Sequence, residues 1–296
     1  MHNTLAVSSW SWHAAYYAGN WSLLDLPTGA AAAGIEAIEC NDFMLPPPHL
    51  SRIRRPLLSL LPGAPPELWR YSRTTLQQLQ ANAQTGNCLF LAWTINSDFS
   101  VPAHHWPTQR LYLERGLAAA SLLQTSLLRV NLGGAPETPG NRDPVIARRL
   151  AEFVVLSQRR SPGLAITVEN HWGISADIDR HLRLVDAAAA QLPSSLQGSF
   201  GCCFDPGNMP VSLDRARWWR ELAKRANHYH LKTTRFDAAG NDPDLPHAAL
   251  FELLRETGYR GAVTIEFAGE GPALDGVRQS ALLYQEQVWS SRPPRP

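Results

Sequence analysis

Eight short apolar or β-rich runs recur along the chain, and each is followed by a polar turn and a segment with helical patterning. The runs are Leu5–Ser9, Ala37–Cys40, Leu89–Thr94, Leu127–Leu132, Leu164–Glu169, Phe200–Asp205, His228–Lys232 and Ala262–Phe267. Strands that alternate with helices are typical of parallel sheets joined by right-handed crossovers. Eight such units spread evenly over 296 residues predict a single (β/α)8 TIM barrel rather than a doubly wound sheet.

The segments between these runs are predicted to be helices. They are Pro66–Thr85, Pro107–Gln124, Pro144–Arg160, Ile178–Ala190, Arg215–Ala226, His247–Thr257 and Ala273–Trp289. Because no shift in composition marks a boundary, we predict one barrel domain over residues 1–290 and a disordered tail over 291–296. The stretch 45–66 is rich in proline, which excludes a regular helix or a central strand and predicts a long loop whose role stays open.

The composition excludes several classes of partner. The 27 basic and 26 acidic residues leave a net charge of +1, which provides no field to attract nucleic acid or an anionic membrane. No apolar run approaches the roughly 20 residues needed to cross a bilayer, and the amino terminus lacks the pattern of a secretory signal. The four cysteines form neither a disulfide framework nor a CxxC metal cluster. We therefore predict a cytoplasmic protein that binds neither nucleic acid nor membrane.

The last four predicted strands each carry an ionisable residue near the carboxyl end. These residues are Glu169, Asp205, His230 and Glu266. The carboxyl ends of barrel strands meet at one mouth, whereas buried parallel strands are otherwise nearly all apolar. Three carboxylates brought together repel one another unless a cation holds them. Three carboxylates and one imidazole form a hard, oxygen-rich set that suits Mn²⁺, Mg²⁺ or Co²⁺ and also accepts Zn²⁺.

The segments around these residues resemble the xylose isomerase-like TIM barrel superfamily, the sugar phosphate isomerase/epimerase (AP endonuclease 2-like) group that also contains endonuclease IV. The matching motifs are GIEAIECND, VENHWG, FDPGN, HYHLK and GAVTIEF, on predicted strands two, five, six, seven and eight. The resemblance implies one divalent metal ion, Mn²⁺ in preference to Mg²⁺, Co²⁺ or Zn²⁺, held by Glu169, Asp205, His230 and Glu266. It also implies that Glu169 and Glu266 are catalytic and remove and return a proton of the bound sugar.

The reaction that the resemblance implies is the isomerisation or epimerisation of a small sugar, sugar phosphate or cyclitol through an enediolate. The predicted substrate contacts are polar and aromatic residues at the strand ends: His171, Lys232, Arg235, Asn208, Glu39, Trp10 and His13. Trp93, Asn96 and Arg129 end other strands and can line the same pocket. Lys232 is one of only two lysines among the 27 basic residues, and an ammonium and a guanidinium are not interchangeable at a binding site.

Three other functions are weighed against this one. A metal-dependent dehydratase of a cyclitol or keto-polyol, of the inosose or dehydroshikimate type, is the nearest alternative, because the same ligands would serve its enolising first step. A non-catalytic sugar-binding protein is a second, because fold and ligands do not fix a reaction. An endonuclease IV-like nuclease is disfavoured by the near-zero net charge and by Asn208, which stands where that branch has a histidine. A homo-oligomer is left open.

Overall fold

Within residues 4–47, 61, 63–209 and 214–289, which the computed structural model describes, eight parallel strands close into one barrel. Each strand pairs with its neighbours in chain order, and the first pairs with the last. The strands are β1 (Leu5–Ser8), β2 (Ala37–Asn41), β3 (Leu89–Ile95), β4 (Leu127–Val130), β5 (Ala165–Glu169), β6 (Phe200–Phe204), β7 (Ala226–Thr233) and β8 (Ala262–Phe267). The predicted (β/α)8 barrel is confirmed.

Helices surround the barrel between successive strands and after the last strand. They are α1 (His13–Tyr17), α2 (Leu26–Ala32), α3 (Arg73–Thr85), α4 (Trp106–Leu123), α5 (Asp143–Arg160), α6 (Ile178–Ala189), α7 (Arg215–Ala223), α8 (His247–Glu256) and α9 (Ala273–Trp289). In the described part of the chain, no helix is long and apolar enough to cross a membrane. Most of the predicted proline-rich loop, residues 48–60 and 62, lies outside the described residues, and so does the predicted tail over 291–296.

The helix predicted over Pro66–Thr85 was wrong in its first part. The segment divides into a 3-10 turn (Pro66–Trp69) and α3. Ser72 lies between them with an extended backbone, at φ −127°, and its side chain accepts a hydrogen bond from the backbone N–H of Thr75. A serine in this conformation caps the amino terminus of a helix, so α3 begins immediately after it.

The helix predicted over Arg215–Ala226 was wrong at its other end, because α7 ends at Ala223. Ala226 is already the first residue of β7, where it pairs with Cys202 of β6. The sheet register therefore overrides the helical patterning of the last residues. The short helices α1 and α2 were absent from the predicted set, because five to seven residues are too few for a periodic pattern to stand out.

The inside of the barrel divides into an apolar end and a polar end. At the amino-terminal end of the strands, small or apolar side chains form a buried layer made of Ala6, Ala37, Leu91, Ala92 and Leu127, with Ala165 and Ala262 packed against it. Further along the same strands, the alternation of side chains brings Glu39, Arg129, Glu169 and Glu266 to the interior. The polar groups are therefore gathered near the carboxyl ends of the strands.

A separate buried carboxylate, Asp42, lies immediately after β2. Its Oδ2 atom accepts hydrogen bonds from the hydroxyls of Tyr112, at 2.6 Å, and Tyr71, at 2.8 Å. The Tyr71 hydroxyl in turn accepts a hydrogen bond from Nε1 of Trp93 at 3.1 Å. Burial raises the pKa of Asp42 to about 7, although the two tyrosine hydrogen bonds oppose the rise. These hydrogen bonds connect the end of β2 to α4, through Tyr112, and to Tyr71, which directly precedes the cap of α3.

The raised pKa of Asp42 predicts a loss of stability as the pH rises. In the unfolded chain the carboxyl group titrates near its ordinary pKa of 3.8, so between about pH 4 and 7 only the folded protein keeps the proton. The stabilisation that this proton gives the folded state is on the order of 2–4 kcal/mol. It is complete below about pH 4 and is lost as the pH rises through about 7. We expect Asp42→Asn to remove this dependence, measured by urea unfolding of metal-free protein from pH 4.5 to 8.

The matched control for this titration is Asp179→Asn. Asp179 is half exposed and pairs with the exposed Arg183 one turn along α6. Its removal should change the free energy of unfolding by a few tenths of a kcal/mol at every pH. A difference between wild type and Asp42→Asn that stays constant across the pH range would contradict the prediction.

Candidate metal centre

Four side chains from the last four strands meet at the mouth of the barrel. Glu169 ends β5, Asp205 follows β6, and His230 and Glu266 lie in β7 and β8. Each offers one ligand atom, and these atoms lie within 4.8 Å of one another. All four residues are at least 96% buried. The structure thus brings together the four residues predicted as metal ligands.

His230 presents its Nδ1 atom to the three carboxylates. This atom lies 3.2 Å from Glu169 Oε1, 3.4 Å from Asp205 Oδ2 and 3.8 Å from Glu266 Oε2. It nevertheless makes no hydrogen bond to any described residue. A buried nitrogen that is surrounded by carboxylate oxygens without being bonded to one fits a metal ligand, and the donor set of one nitrogen and three carboxylates fits a divalent cation.

Asp205 is held by a turn that follows β6. Its Oδ1 atom accepts hydrogen bonds from the backbone N–H groups of Gly207, at 2.8 Å, and Asn208, at 3.1 Å. The Asn170 side chain bonds both backbone groups of Asp205. A Cβ atom on Gly207 would lie 2.7 Å from Cγ of Lys232, so glycine is required for the close approach of these two strand ends. These bonds leave Oδ2 of Asp205 directed toward the other ligands.

Lys232 is the cation on one side of the site. Its Nζ atom donates to Glu266 Oε2 at 2.5 Å and to Asp205 Oδ2 at 3.4 Å. Burial alone would lower the pKa of Lys232, but the two carboxylates raise it above its ordinary value. Burial likewise opposes ionisation of Asp205, yet Lys232 and His230 hold its pKa below the ordinary value. These charge partners therefore favour the ionised forms of Lys232 and Asp205.

Arg129 of β4 is the cation on the other side. Its guanidinium forms an ion pair with Glu169 and donates hydrogen bonds to Asn41 Oδ1, at 3.0 Å, and to Thr94 Oγ1, at 3.1 Å. The Nε atom also lies 3.9 Å from Oε1 of Glu39. The side chain is only 6% exposed, so this is a buried charge with several fixed partners. The sequence marked Arg129 only as a residue that can line the pocket.

Glu39 of β2 lies beneath the ligand cluster rather than on an open surface. It is fully buried, and its Oε2 atom lies 3.3 Å from Nε2 of His230 and 3.3 Å from Nε2 of His228. The Nε2 atom of His228 is also 2.8 Å from the hydroxyl of Thr264. Burial lowers the pKa of His228 to about 3, which favours the neutral imidazole. The predicted substrate contact at Glu39 therefore corresponds to a group packed behind His230.

The charges around the cluster leave an excess of two negative charges. When His230 is neutral, as a metal ligand must be, four buried carboxylates, those of Glu39, Glu169, Asp205 and Glu266, face two cations, Arg129 and Lys232. Buried charges are stable only when they are paired, so this excess favours the binding of one divalent cation. The charge balance and the directed Nδ1 atom of His230 point to the same kind of ligand.

The remaining predicted substrate contacts fall into two groups. Asn208 lies beside the cluster and donates from Nδ2 to Glu169 Oε1 at 3.3 Å. His171 follows Glu169 by two residues, and burial and the Arg129 charge lower its pKa to about 4. Arg235, in contrast, is two-thirds exposed and pairs with Asp244 at 2.7 Å. The structure thus directs its guanidinium to a surface carboxylate.

Aromatic side chains follow the end of β1. The rings of Trp10 and His13 stack with their centroids 4.7 Å apart, and Nδ1 of His13 bonds the backbone oxygen of Trp10. Both residues are half-buried, which leaves part of each ring accessible. Trp93 bonds Tyr71 and pairs in register with Leu128, whereas the next residue, Thr94, pairs with the inward-facing Arg129. The side chain of Trp93 therefore lies on the outer face of the sheet, and the prediction that it lines the pocket was wrong. Asn96 accepts a hydrogen bond from Asn131 at 3.2 Å.

The model of the xylose isomerase-like TIM barrel family matches residues 28–287 of the chain. The chain belongs to this family. The match covers every motif on which the predicted resemblance rested, from the second strand to the eighth. No curated protein matches the chain.

Solved structures with the same fold include sugar epimerases and a dehydratase. D-allulose 3-epimerase from Methylomonas sp., in complex with D-allulose, is 14% identical with a TM-score of 0.69, over 96% of this chain and 97% of that one. The probable 3-DHS dehydratase AsbF from Bacillus anthracis is 13% identical with a TM-score of 0.65, over 95% and 98%. D-psicose 3-epimerase from Clostridium cellulolyticum H10 is 14% identical with a TM-score of 0.63, over 96% and 99%. At these identities the likeness establishes the fold of this xylose isomerase-like barrel.

Proposed function

We propose that this xylose isomerase-like barrel is a divalent-metal-dependent isomerase or epimerase of a small sugar or cyclitol, with Mn²⁺ as the preferred ion. The observation that carries the proposal is the cluster of Glu169, Asp205, His230 and Glu266, in which one imidazole nitrogen faces three carboxylates without bonding to a described residue. When bound there, a divalent ion would hold adjacent substrate oxygens and acidify the C–H group beside the carbonyl.

Two of the four ligands can also move a proton. Glu169 on β5 and Glu266 on β8 flank Asp205 and His230, so a substrate above the cluster has one glutamate on each side. One glutamate removes the proton beside the carbonyl, which gives an enediolate of the substrate, and the other returns a proton to the opposite face or to the next carbon. Asp205 and His230 then have binding roles only.

The two cations beside the cluster support the proposed roles of the two glutamates. Arg129 holds Glu169 and Lys232 holds Glu266, so each proposed base has a fixed orientation. Lys232, Asn208 and His171 are polar donors next to the cluster and are proposed to bind substrate hydroxyls. Nearby, Trp10 and His13 offer aromatic faces against which a sugar ring can pack.

A metal-dependent dehydratase is the second candidate, and the position of Lys232 favours it. Elimination of water from the enediolate needs a proton donor for the departing hydroxyl. The ammonium of Lys232 lies 2.5 Å from Glu266, next to a proposed base, and is therefore placed to supply that proton. Dehydration and epimerisation share the first proton transfer and differ only in the product.

Metal analysis followed by a panel of sugars and cyclitols in D₂O tests the proposal. We expect one equivalent of divalent metal per chain, because one such ion balances the charges of the site. We also expect deuterium at the carbon beside the carbonyl of at least one substrate, detected by NMR, together with an epimer or isomer as product. An unsaturated product would instead establish the dehydratase.

Metal-stripped protein, and the same protein after Mn²⁺ is restored, form the matched controls for this panel. Exchange should vanish on stripping and return with the ion. Thermal stabilisation by a sugar without exchange on any member of the panel would favour a sugar-binding protein. Failure of the chain to bind a divalent ion would contradict the proposal.

A further inference from the structure

Glu39 is a buried carboxylate that the proposed proton transfers do not use. It lies in β2, paired in register with Ser8 of β1 and Ala92 of β3, and its side chain is fully buried. The four proposed metal ligands lie in or directly after β5 to β8, and Glu39 is not one of these ligands. Burying a carboxylate lowers the stability of the folded protein unless the charge is paired and hydrogen-bonded, so the contacts of Glu39 are informative.

The contact that connects Glu39 to the cluster passes through His230. The Oε2 atom of Glu39 lies 3.3 Å from Nε2 of His230, and the other ring nitrogen, Nδ1, faces Glu169 and Asp205 at 3.2 and 3.4 Å. A carboxylate can only accept a hydrogen bond, so Nε2 carries the proton that is shared with Glu39. In the neutral ring the Nδ1 lone pair is then directed at the cluster.

Glu39 itself is fixed from the opposite side. Its Oε1 atom accepts a hydrogen bond from the Ser8 hydroxyl at 3.3 Å and lies 3.9 Å from Nε of Arg129. These contacts occupy one oxygen and leave Oε2 for the two histidines. The carboxylate therefore has little freedom to rotate away from His230.

We propose that Glu39 is the positioning residue that fixes the tautomer and the ring orientation of His230 for metal binding. The inference rests on the proposed metal site, and it adds a residue from the opposite part of the barrel to that site. Carboxylates that accept the second N–H of a ligating histidine hold the ring in place and raise its basicity, and their loss weakens metal binding by about 10- to 100-fold.

The test compares Glu39→Asp and Glu39→Ala by calorimetric titration of metal-free protein with Mn²⁺. Aspartate keeps the negative charge but is one methylene too short to reach Nε2 of His230, whereas alanine removes both charge and contact. We expect both variants to weaken Mn²⁺ binding by about 10- to 100-fold. A Glu39→Asp variant that binds Mn²⁺ as tightly as wild type overturns the inference, because charge alone would then be sufficient.

The control variant is Thr264→Val, which removes a hydroxyl from the same buried layer and is nearly isosteric. That hydroxyl contacts His228 rather than His230, so the Mn²⁺ affinity should stay within about threefold of wild type. A purely structural role for Glu39 would lower the melting temperature of its variants without changing their affinity, and that result would also overturn the inference. Should Glu39→Ala fail to fold, Glu39→Asp alone decides.

The tautomer is observed directly by ¹⁵N NMR of histidine-labelled wild type with the diamagnetic ion Mg²⁺ bound, because a ligating imidazole is neutral. We expect His230 to carry its proton on Nε2, and a proton on Nδ1 would overturn the inference. Wild type that binds Mn²⁺ while the variants bind equally well overturns this inference alone. A wild type that binds no metal overturns the proposed function as well.

Discussion

Glu169→Gln and Glu266→Gln should each reduce product formation by about 10²–10⁴-fold while the chain still binds its metal ion. A positioned acid or base contributes a factor of this size to proton transfer, and glutamine can ligate through its oxygen but cannot accept the proton. The measurement is NMR of substrate and product in D₂O under saturating Mn²⁺, with metal content determined on the same samples. Deuterium incorporation and product formation retained in both variants would rule out the two-glutamate mechanism.

The matched control for these substitutions is Glu256→Gln. Glu256 ends α8, is half exposed and pairs with the exposed Arg220 at 3.0 Å. The same chemical change at this surface should leave the rate of product formation unchanged. If the control variant also loses activity, the effect of the glutamines reflects folding or handling rather than the site.

Arg129→Met should destabilise the metal-free protein by about 3–5 kcal/mol. The substitution leaves Glu169 and Glu39 buried without their guanidinium, and breaking a buried ion pair by removing one partner is costly because an uncompensated charge remains. We expect Mn²⁺ to restore part of the loss, because a divalent cation neutralises the same carboxylates. Urea unfolding with and without Mn²⁺ measures both effects.

Arg110→Met is the control for Arg129→Met. Arg110 pairs with Glu114 at 3.1 Å, but its side chain is 60% exposed, and exposed ion pairs contribute less than about 1 kcal/mol. We expect a correspondingly small change that does not depend on Mn²⁺. A loss of stability below about 1 kcal/mol for Arg129→Met would contradict this prediction. It would mean that water reaches the guanidinium and its carboxylate partners in the wild-type protein.

Much of the fold followed from the order of apolar runs. The strand bounds agree with the predicted runs to within two residues, because each run must be buried on both faces of a parallel sheet. Two helix ends were misplaced. The cap at Ser72 and the pairing of Ala226 in β7 are set by backbone geometry and sheet register, which helical patterning does not report.

The metal ligands could be predicted from the sequence, because the carboxyl ends of parallel strands converge. The residues that contact those ligands could not be predicted. His230 and Glu39 are separated by 191 positions, and only the closed barrel places them 3.3 Å apart. The substrate contact at Arg235 stays a prediction, and nothing in the sequence indicated that its side chain would pair with Asp244 on the surface.

The layer of alanine and leucine side chains at the amino-terminal end of the barrel determines how ligands arrive. It is buried and apolar, so it closes the interior from below, and the polar groups are reached from the carboxyl-terminal mouth. A metal ion and a sugar must then use the same entrance. The four ligands are almost fully buried, whereas the proposed sugar contacts Trp10 and His13 are half-buried, so a bound sugar would block the exit of the ion. Metal exchange should therefore slow as the sugar concentration rises, as in an ordered sequence in which the ion enters first and leaves last.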